Sequence, residues 1–181
     1  MTVGVVDGRR AKGDRARLAL VEATLRVIEL GGIAAVTHRN VTREAELPAS
    51  SAAYHFATID DLLEQALLYA DQQAAAALER CRRDAEPITA LAQWLAQDYT
   101  QERRRLIAEY ELFLHAARRP VLRRSAMRWL DDLSDLVGGW TRDPDAVSTI
   151  CAFLDGLLLH SLVSGQPPDP GAIEATIRRL L

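Results

Sequence analysis

The sequence predicts an all-α protein of about nine helices, and three observations carry that expectation. Ala, Leu, Arg and Glu dominate a chain with only ten Gly and seven Pro in 181 residues, a composition that favours helix throughout. Apolar residues recur at spacings of three and four, and no segment sustains the period-2 alternation of β-branched residues that a strand needs. Proline falls near helix starts, where the first helical amide has no intrahelical partner to lose. With 49% of the residues apolar, the chain can build a sizeable core in one domain, or in a small domain sharing an interface with a larger one.

Residues 1–14 are Gly-rich, hold Arg9, Arg10 and Lys12 close together, and read as a flexible basic arm. Such an arm either reaches a minor groove or phosphates, or is a solvated tail; the sequence leaves both open. The first helix is expected over about residues 14–30, with Leu18, Val21, Leu25 and Ile28 as its buried stripe and Gly31-Gly32 as its stop. Residues 37–56 then read as two short helices and a tight turn. Thr37 is placed to cap the first, and Val41 and Ala45 share one of its faces. Glu46, Leu47 and Pro48 end it, since Pro48 lacks an amide proton and drives Leu47 out of helical dihedrals. The second begins near Ala49 and offers Ser50, Ser51, Tyr54 and His55 as its large or polar side chains.

Thr58 and Asp61 have the spacing of a capping box and open a long helix reaching about Arg83. Pro87, Pro120, Pro144 and Pro170 announce four later helices, with Asp143 and Asp169 as N-caps for two of them. The polar cluster at 101–105 marks a further boundary near Glu102, and Gly138-Gly139 and residues 164–171 are the remaining breaks.

The charge is unevenly spread. Net charge is −3, yet residues 1–59 carry eight Arg or Lys against six Asp or Glu, and the remainder fourteen against nineteen. A basic end on an acidic body suits a nucleic-acid-reading head on a body that avoids nucleic acid. Cys81 and Cys151 belong to no CxxC or Cys/His cluster and read as small buried hydrophobes of a reducing cytosol. The N-terminus lacks the apolar core of a signal peptide, and the apolar run at 150–159 is interrupted by Asp155 and too short for a bilayer, so the expectation is a cytoplasmic protein without a membrane partner. Phosphate loop, nucleophile elbow and metal-ligand spacing are all missing from the sequence, and Glu109 and Glu111 fall on nearly opposite sides of a helix. Neither an enzyme nor a cofactor nor a metal site is expected.

Two helices joined by a three- to four-residue turn suit a helix-turn-helix whose second helix enters a DNA major groove, or else an ordinary corner of a helical bundle. At this point the sequence resembles the tetracycline-repressor (TetR) family of bacterial transcription regulators, on Gly31, Thr37, Arg39, Val41, Ala45, Leu47, Tyr54, His55, Phe56, Leu62 and Leu63. It departs from the family pattern at three places: Glu46 replaces the usual Gly, Ala53 a common phosphate-contacting Tyr, and Ile59 the usual Lys. The resemblance implies a three-helix helix-turn-helix head over residues 15–60 and a helical-bundle body for ligand binding and dimerisation over 61–181. Carried onto this chain, it implies Arg39 as a base-reading residue.

Thr37, His38, Ser50, Ser51, Tyr54 and His55 accompany Arg39 as candidate DNA contacts, with Lys12 and Arg15 from the arm and first helix. Tyr54 and His55 have a core reading as well, and Phe56 reads as core. For an effector, Trp94, Tyr110, Phe113, Leu114 and His115 are the candidates, with Trp129 and His160 facing the same space; core aromatics and satisfied histidines are the alternative. The segment over residues 143–164 is apolar on more than one face, which points to a homodimer through Ile150, Leu154, Leu157 and Leu158, with Ile173 and Ile177 of the last helix. The function expected is a ligand-responsive regulator, a repressor that binds a palindromic double-stranded DNA operator as a dimer and is released by a small molecule. The alternative is a helical protein-interaction module with a weakened helix-turn-helix.

Overall fold

A computed structural model describes residues 3–181. Its helices are α1 (Val3–Gly31), α2 (His38–Glu44), α3 (Ser51–His55), α4 (Ile59–Arg82), α5 (Pro87–Ala116), α6 (Pro120–Gly138), α7 (Pro144–Ser164) and α8 (Pro170–Leu180), with a single 3-10 turn, Ile33–Ala35, between α1 and α2. Among the described residues there is no strand. The boundary expected near Glu102 is a kink rather than a break: Glu102 leaves helical dihedrals (φ −127°, ψ 28°) inside α5. Divided there, α5 supplies the ninth helix of the expectation.

One boundary needs correction. The first helix starts at Val3 and not near Asp14, so most of the stretch expected as an arm lies in the opening turns of α1. No Pro interrupts residues 3–13, and once a helix is nucleated each added residue gains a backbone hydrogen bond, which offsets the roughly 1 kcal/mol that each Gly costs.

Contacts divide the chain into two compact units, and the division does not fall at residue 60. The head unit holds the chain up to Tyr69 together with Ala108–Arg123; the body unit holds Ala70–Ile107 and Arg124–Leu181. In the head, Leu20, Ala23, Val41, Ala52, Phe56 and Leu62 are fully buried and pin α1 to α4 around one core. Polar ties hold its periphery. Arg26 of α1 pairs with Glu44 of α2 at 2.8 Å, and Tyr69 donates to Glu22 at 3.0 Å. The Thr58–Asp61 capping box forms reciprocally, at 2.9 and 3.0 Å. From the distant segment, Glu111 accepts the Ile33 amide at 2.8 Å, and Arg119 pairs with Asp60 at 3.3 Å.

The body is built on Leu91, Leu136, Ile150, Leu154, Ile173 and Ile177, all buried. Asp143 and Asp169 cap α7 and α8 as expected, each accepting a backbone amide at 3.0 Å. The kink in α5 is tied down on both sides. Asp98 and Arg105 pair across it at 2.5 Å. Tyr99 donates to the Ser161 carbonyl at 2.9 Å and Arg103 to the Leu162 carbonyl at 2.7 Å, so a cation satisfies the carbonyl end of α7.

The departure at Glu46 has a structural meaning. The end of α2 is a Schellman motif: Leu47 N–H bonds the Thr42 carbonyl at 2.9 Å and Glu46 N–H the Arg43 carbonyl at 3.2 Å. That motif puts Glu46 in the left-handed region, φ 53°, the conformation for which Gly is favoured. A non-Gly residue there costs about 1–2 kcal/mol, part of which the greater unfolded-state freedom of Gly would take back. Glu46→Gly is therefore expected to stabilise the protein by about 1 kcal/mol, read as a melting temperature higher by about 2–4 °C. An unchanged or lower value would mean that the Glu46 side chain contributes more than its strain costs.

Candidate nucleic-acid interface and effector body

The start of α2 is capped by its own side chains. Thr37 Oγ1 accepts the Asn40 amide at 3.1 Å, as the sequence predicts, and Asn40 Nδ2 donates to the Ala35 carbonyl at 2.8 Å. Ala52 and Phe56 anchor the five-residue α3 in the core, and the Arg17 guanidinium lies 5.3 Å from the centre of the Phe56 ring. What remains outside is Thr37, Arg39, Ser50 and Tyr54, all exposed, Tyr54 at 84%. Ser50 and Tyr54 are four residues apart and share a face. The Ser50 hydroxyl makes no capping bond, and the Tyr54 ring stands edge-on to His55, 4.9 Å between centres. Lys12 and Arg15 are exposed on α1; Arg15 donates to the Ala11 carbonyl at 3.2 Å. Ser51 and His55 are half-buried, on the inner side of α3.

His38 departs from expectation. It opens α2 half-buried, and its Nε2 is enclosed without a hydrogen-bond partner, so that nitrogen is not offered to DNA. Ala53 is exposed and adds no polar atom, while Ile59 is half-buried at the start of α4.

The seven effector candidates are not equivalent. Tyr110, Phe113, Leu114 and His115 lie on the segment that belongs to the head unit; Trp94, Trp129 and His160 lie in the body. Leu114 (60% exposed) and His160 face outward, Tyr110 and Phe113 are half-buried, and His115 has an enclosed Nε2 without a partner. An open groove of about 850 Å³ runs along α6 and the start of α7, from Leu130 to Cys151, and none of the seven lines it.

Two carboxyls of the body are tied electrostatically to one turn of α6. Asp71, on α4, is 8% exposed, and its Oδ1 has no hydrogen-bond partner. Burial pushes its carboxyl above the usual range, Asp132 of α6 adds to the rise, and Arg128 of α6 pulls it back. Asp155, on α7, is likewise raised by burial and pulled back by a hydrogen bond from Trp129 of α6. For a carboxyl raised in this way the charged form opposes folding. The penalty is absent below the unfolded value, near 4, and develops as pH rises through the raised one. Sequence reading met Asp155 only as a break in an apolar run and passed over Asp71, although Asp71 falls on the Leu67–Leu78 apolar side of α4, four residues after Leu67.

Comparison with known proteins places this geometry. The profile of the tetracyclin repressor-like C-terminal domain matches residues 82–181. The multidrug binding protein EbrR, solved with ethidium, is 35% identical over 92% of this chain and 98% of its own, at a TM-score of 0.79. The chain belongs to the TetR family. A TetR-family structure from Streptomyces coelicolor A3, SCO1917, is 34% identical over 92% of this chain and 98% of its own, at a TM-score of 0.81. EbrR solved with proflavin gives 35% identity over 92% of this chain and 99% of its own, at 0.73. No curated protein matches the chain.

The residues expected at a dimer contact face inward instead. Ile150, Leu154 and Leu158 of α7 and Ile173 and Ile177 of α8 are buried within the chain's own body unit, and Leu157 is half-buried. These residues are core. A second stripe on α7, Ala152, Gly156, Leu159 and Val163, is exposed at spacings of four, three and four. Both faces are apolar, so periodicity alone does not tell inside from outside. The whole of this helix, unlike its central run, is long and apolar enough to cross a membrane, with a mean hydropathy of 1.7 over its most apolar window. Asp155, held by Trp129 in mid-helix, and the covered inner stripe mark it as a helix of a bundle.

Proposed function

We propose that this TetR-family protein is a repressor that binds a palindromic operator as a homodimer in the cytoplasm and releases it on binding a small aromatic cation. The observation that carries the reading is the exposed set Thr37, Arg39, Ser50 and Tyr54 on a capped, core-anchored helix-turn-helix. Arg39 reads a base edge, bidentately when the base is guanine, while Ser50, Tyr54, Lys12 and Arg15 hold phosphates. The second copy packs against the Ala152–Val163 stripe of α7, where Gly156 lets two helices approach closely. Ethidium, proflavin and malachite green, found with EbrR, are aromatic organic cations, and they support that class of effector for this chain.

Selection from randomised duplexes tests the reading: the wild-type protein is expected to enrich an inverted repeat. Arg39→Ala is then expected to cost about 1–3 kcal/mol per half-site and to relax preference at one position in each half. Failure to enrich any duplex, or an Arg39→Ala protein with unaltered preference, rejects the operator reading or the role of Arg39 respectively.

A further inference from the structure

The most basic stretch of the chain lies outside the residues assigned to DNA so far. Residues 112–130 hold five arginines and no Asp or Glu. Three of them, Arg118, Arg119 and Arg123, belong to the segment that packs into the head unit, and all three are exposed. The rest of the head is short of positive charge: up to Tyr69 it holds eight Arg or Lys against nine Asp or Glu. Part of that shortage falls where a DNA reader can least tolerate it. Only Phe56, Ala57 and Thr58 separate α3 from α4, and α4 opens with Ile59, Asp60 and Asp61. Carboxylates beside a recognition helix repel phosphates, and the first turn of α4 carries no cation to offset them.

The two acids are answered differently. Asp61 accepts the Thr58 amide within the capping box. Asp60 is met by Arg119, whose Nη1 lies 3.3 Å from its Oδ2 although 59 residues separate them in sequence. Both side chains of that pair stay open to solvent, so it adds little to stability. Arg123 Nη2 donates to the Ala117 carbonyl at 3.3 Å, which holds the guanidinium against the turn between α5 and α6. Arg118 has no side-chain partner among the described residues. Three exposed guanidiniums sharing one acid leave a net positive ridge, tied by Arg119 to the start of α4.

We infer that Arg118, Arg119 and Arg123 form an accessory phosphate-binding ridge, by which the head grips the duplex backbone flanking the bases that α2 and α3 read. Arg119 neutralises Asp60 at the docking edge, and Arg118 and Arg123 take phosphates, for which a guanidinium fork is well matched. The inference rests on the operator reading above and adds to it a surface supplied by 108–123 rather than by α4 itself.

The full-length wild type, the double variant Arg118→Gln with Arg123→Gln, Arg119→Gln, Asp60→Asn and Arg179→Gln are titrated with the selected operator duplex across a salt series, with melting curves alongside. Arg179 is exposed on α8 and controls for lost net charge. The double variant is expected to bind at least tenfold more weakly at low salt. Its slope of log K against log salt should be shallower by about 3–4, since two contacts in each subunit of the dimer contribute about 0.9 apiece. Its base preference stays that of wild type, because phosphate contacts carry no direct sequence information. Arg119→Gln lowers operator affinity and Asp60→Asn raises it, while Arg179→Gln leaves it within twofold. A merely structural ion pair would instead give the same loss from either side, with lower melting. Equal losses from Arg119→Gln and Asp60→Asn, or a wild-type slope in the double variant, overturn the ridge and leave the operator reading standing. Altered base preference in the double variant also counts against the ridge, since it makes those arginines base readers. A wild-type protein that enriches no duplex overturns both.

Discussion

Val163→Glu is expected to give a monomeric protein that no longer holds operator DNA. Val163 is 83% exposed and Leu159 46%, so neither is needed for the body's own core, and a charge at 163 leaves the single chain intact. In a twofold dimer the substitution acts twice, placing two carboxylates in an apolar helix contact. Removing a charge from water without a partner costs several kcal/mol, more than an interface of this kind has to spare. The two heads then separate, and a lone head engages a single half-site. Operator affinity should fall by at least a hundredfold, while circular dichroism keeps its helical signal. Leu158→Glu is the contrast: Leu158 is 4% exposed inside the same chain, and charging it should unfold the body. Sedimentation of wild type, Val163→Glu and Leu158→Glu at micromolar concentration checks this. A Val163→Glu protein that still sediments as a dimer would show that the outer stripe of α7 is not the contact.

Glu111→Ala is expected to cost the head about 2–3 kcal/mol, the range for a charge-assisted hydrogen bond whose partner is left part-buried. Its carboxylate takes the Ile33 amide at 2.8 Å, where α1 has ended and the chain turns through Gly32 at φ 72°. The turn leading into Ile33–Ala35 has no side-chain cap of its own, since its N-cap is Gly32. Glu111→Gln keeps an acceptor and should lose about half as much. The observable is a melting temperature lower by about 2–4 °C per kcal/mol, with faster exchange at the Ile33 amide. Equal melting of all three proteins would mean that water serves the amide as well as Glu111 does.

Most elements of this chain after α1 were legible where the signal was local. Prolines at 87, 120, 144 and 170, the caps Thr37, Asp143 and Asp169, and the Thr58–Asp61 box state their role within four residues, and all of them form. The helix-turn-helix was legible for the same reason, down to Phe56 as core. Signals that depend on distant partners were not. Glu111 looks like any surface acid until Ile33 is brought to it from 78 residues away. His38 reads as a contact because nothing nearby says which way it turns. The two apolar faces of α7 are indistinguishable by pattern, so Ile150, Leu154 and Leu158 were placed outside when they are inside. Asp71 was the readable omission, a charge on an apolar stripe.

The union of residues up to Tyr69 with Ala108–Arg123 bears on how such chains can be recombined. A gene fusion that joins the first 60 residues of this protein to the remainder of a relative looks like a clean exchange of one reader for another. It would strip the transplanted piece of Glu111 and Arg119, leaving the Ile33 amide and Asp60 to whatever the host chain happens to offer. Shuffled regulators of this type should therefore fail through loss of the reader's own fold more often than through mismatch of specificity. A crossover that also carries 108–123 from the donor should recover them. The genetic unit that can be traded is discontinuous, and a lineage that exchanges operators is better served by changing single side chains on α2 and α3 than by swapping blocks.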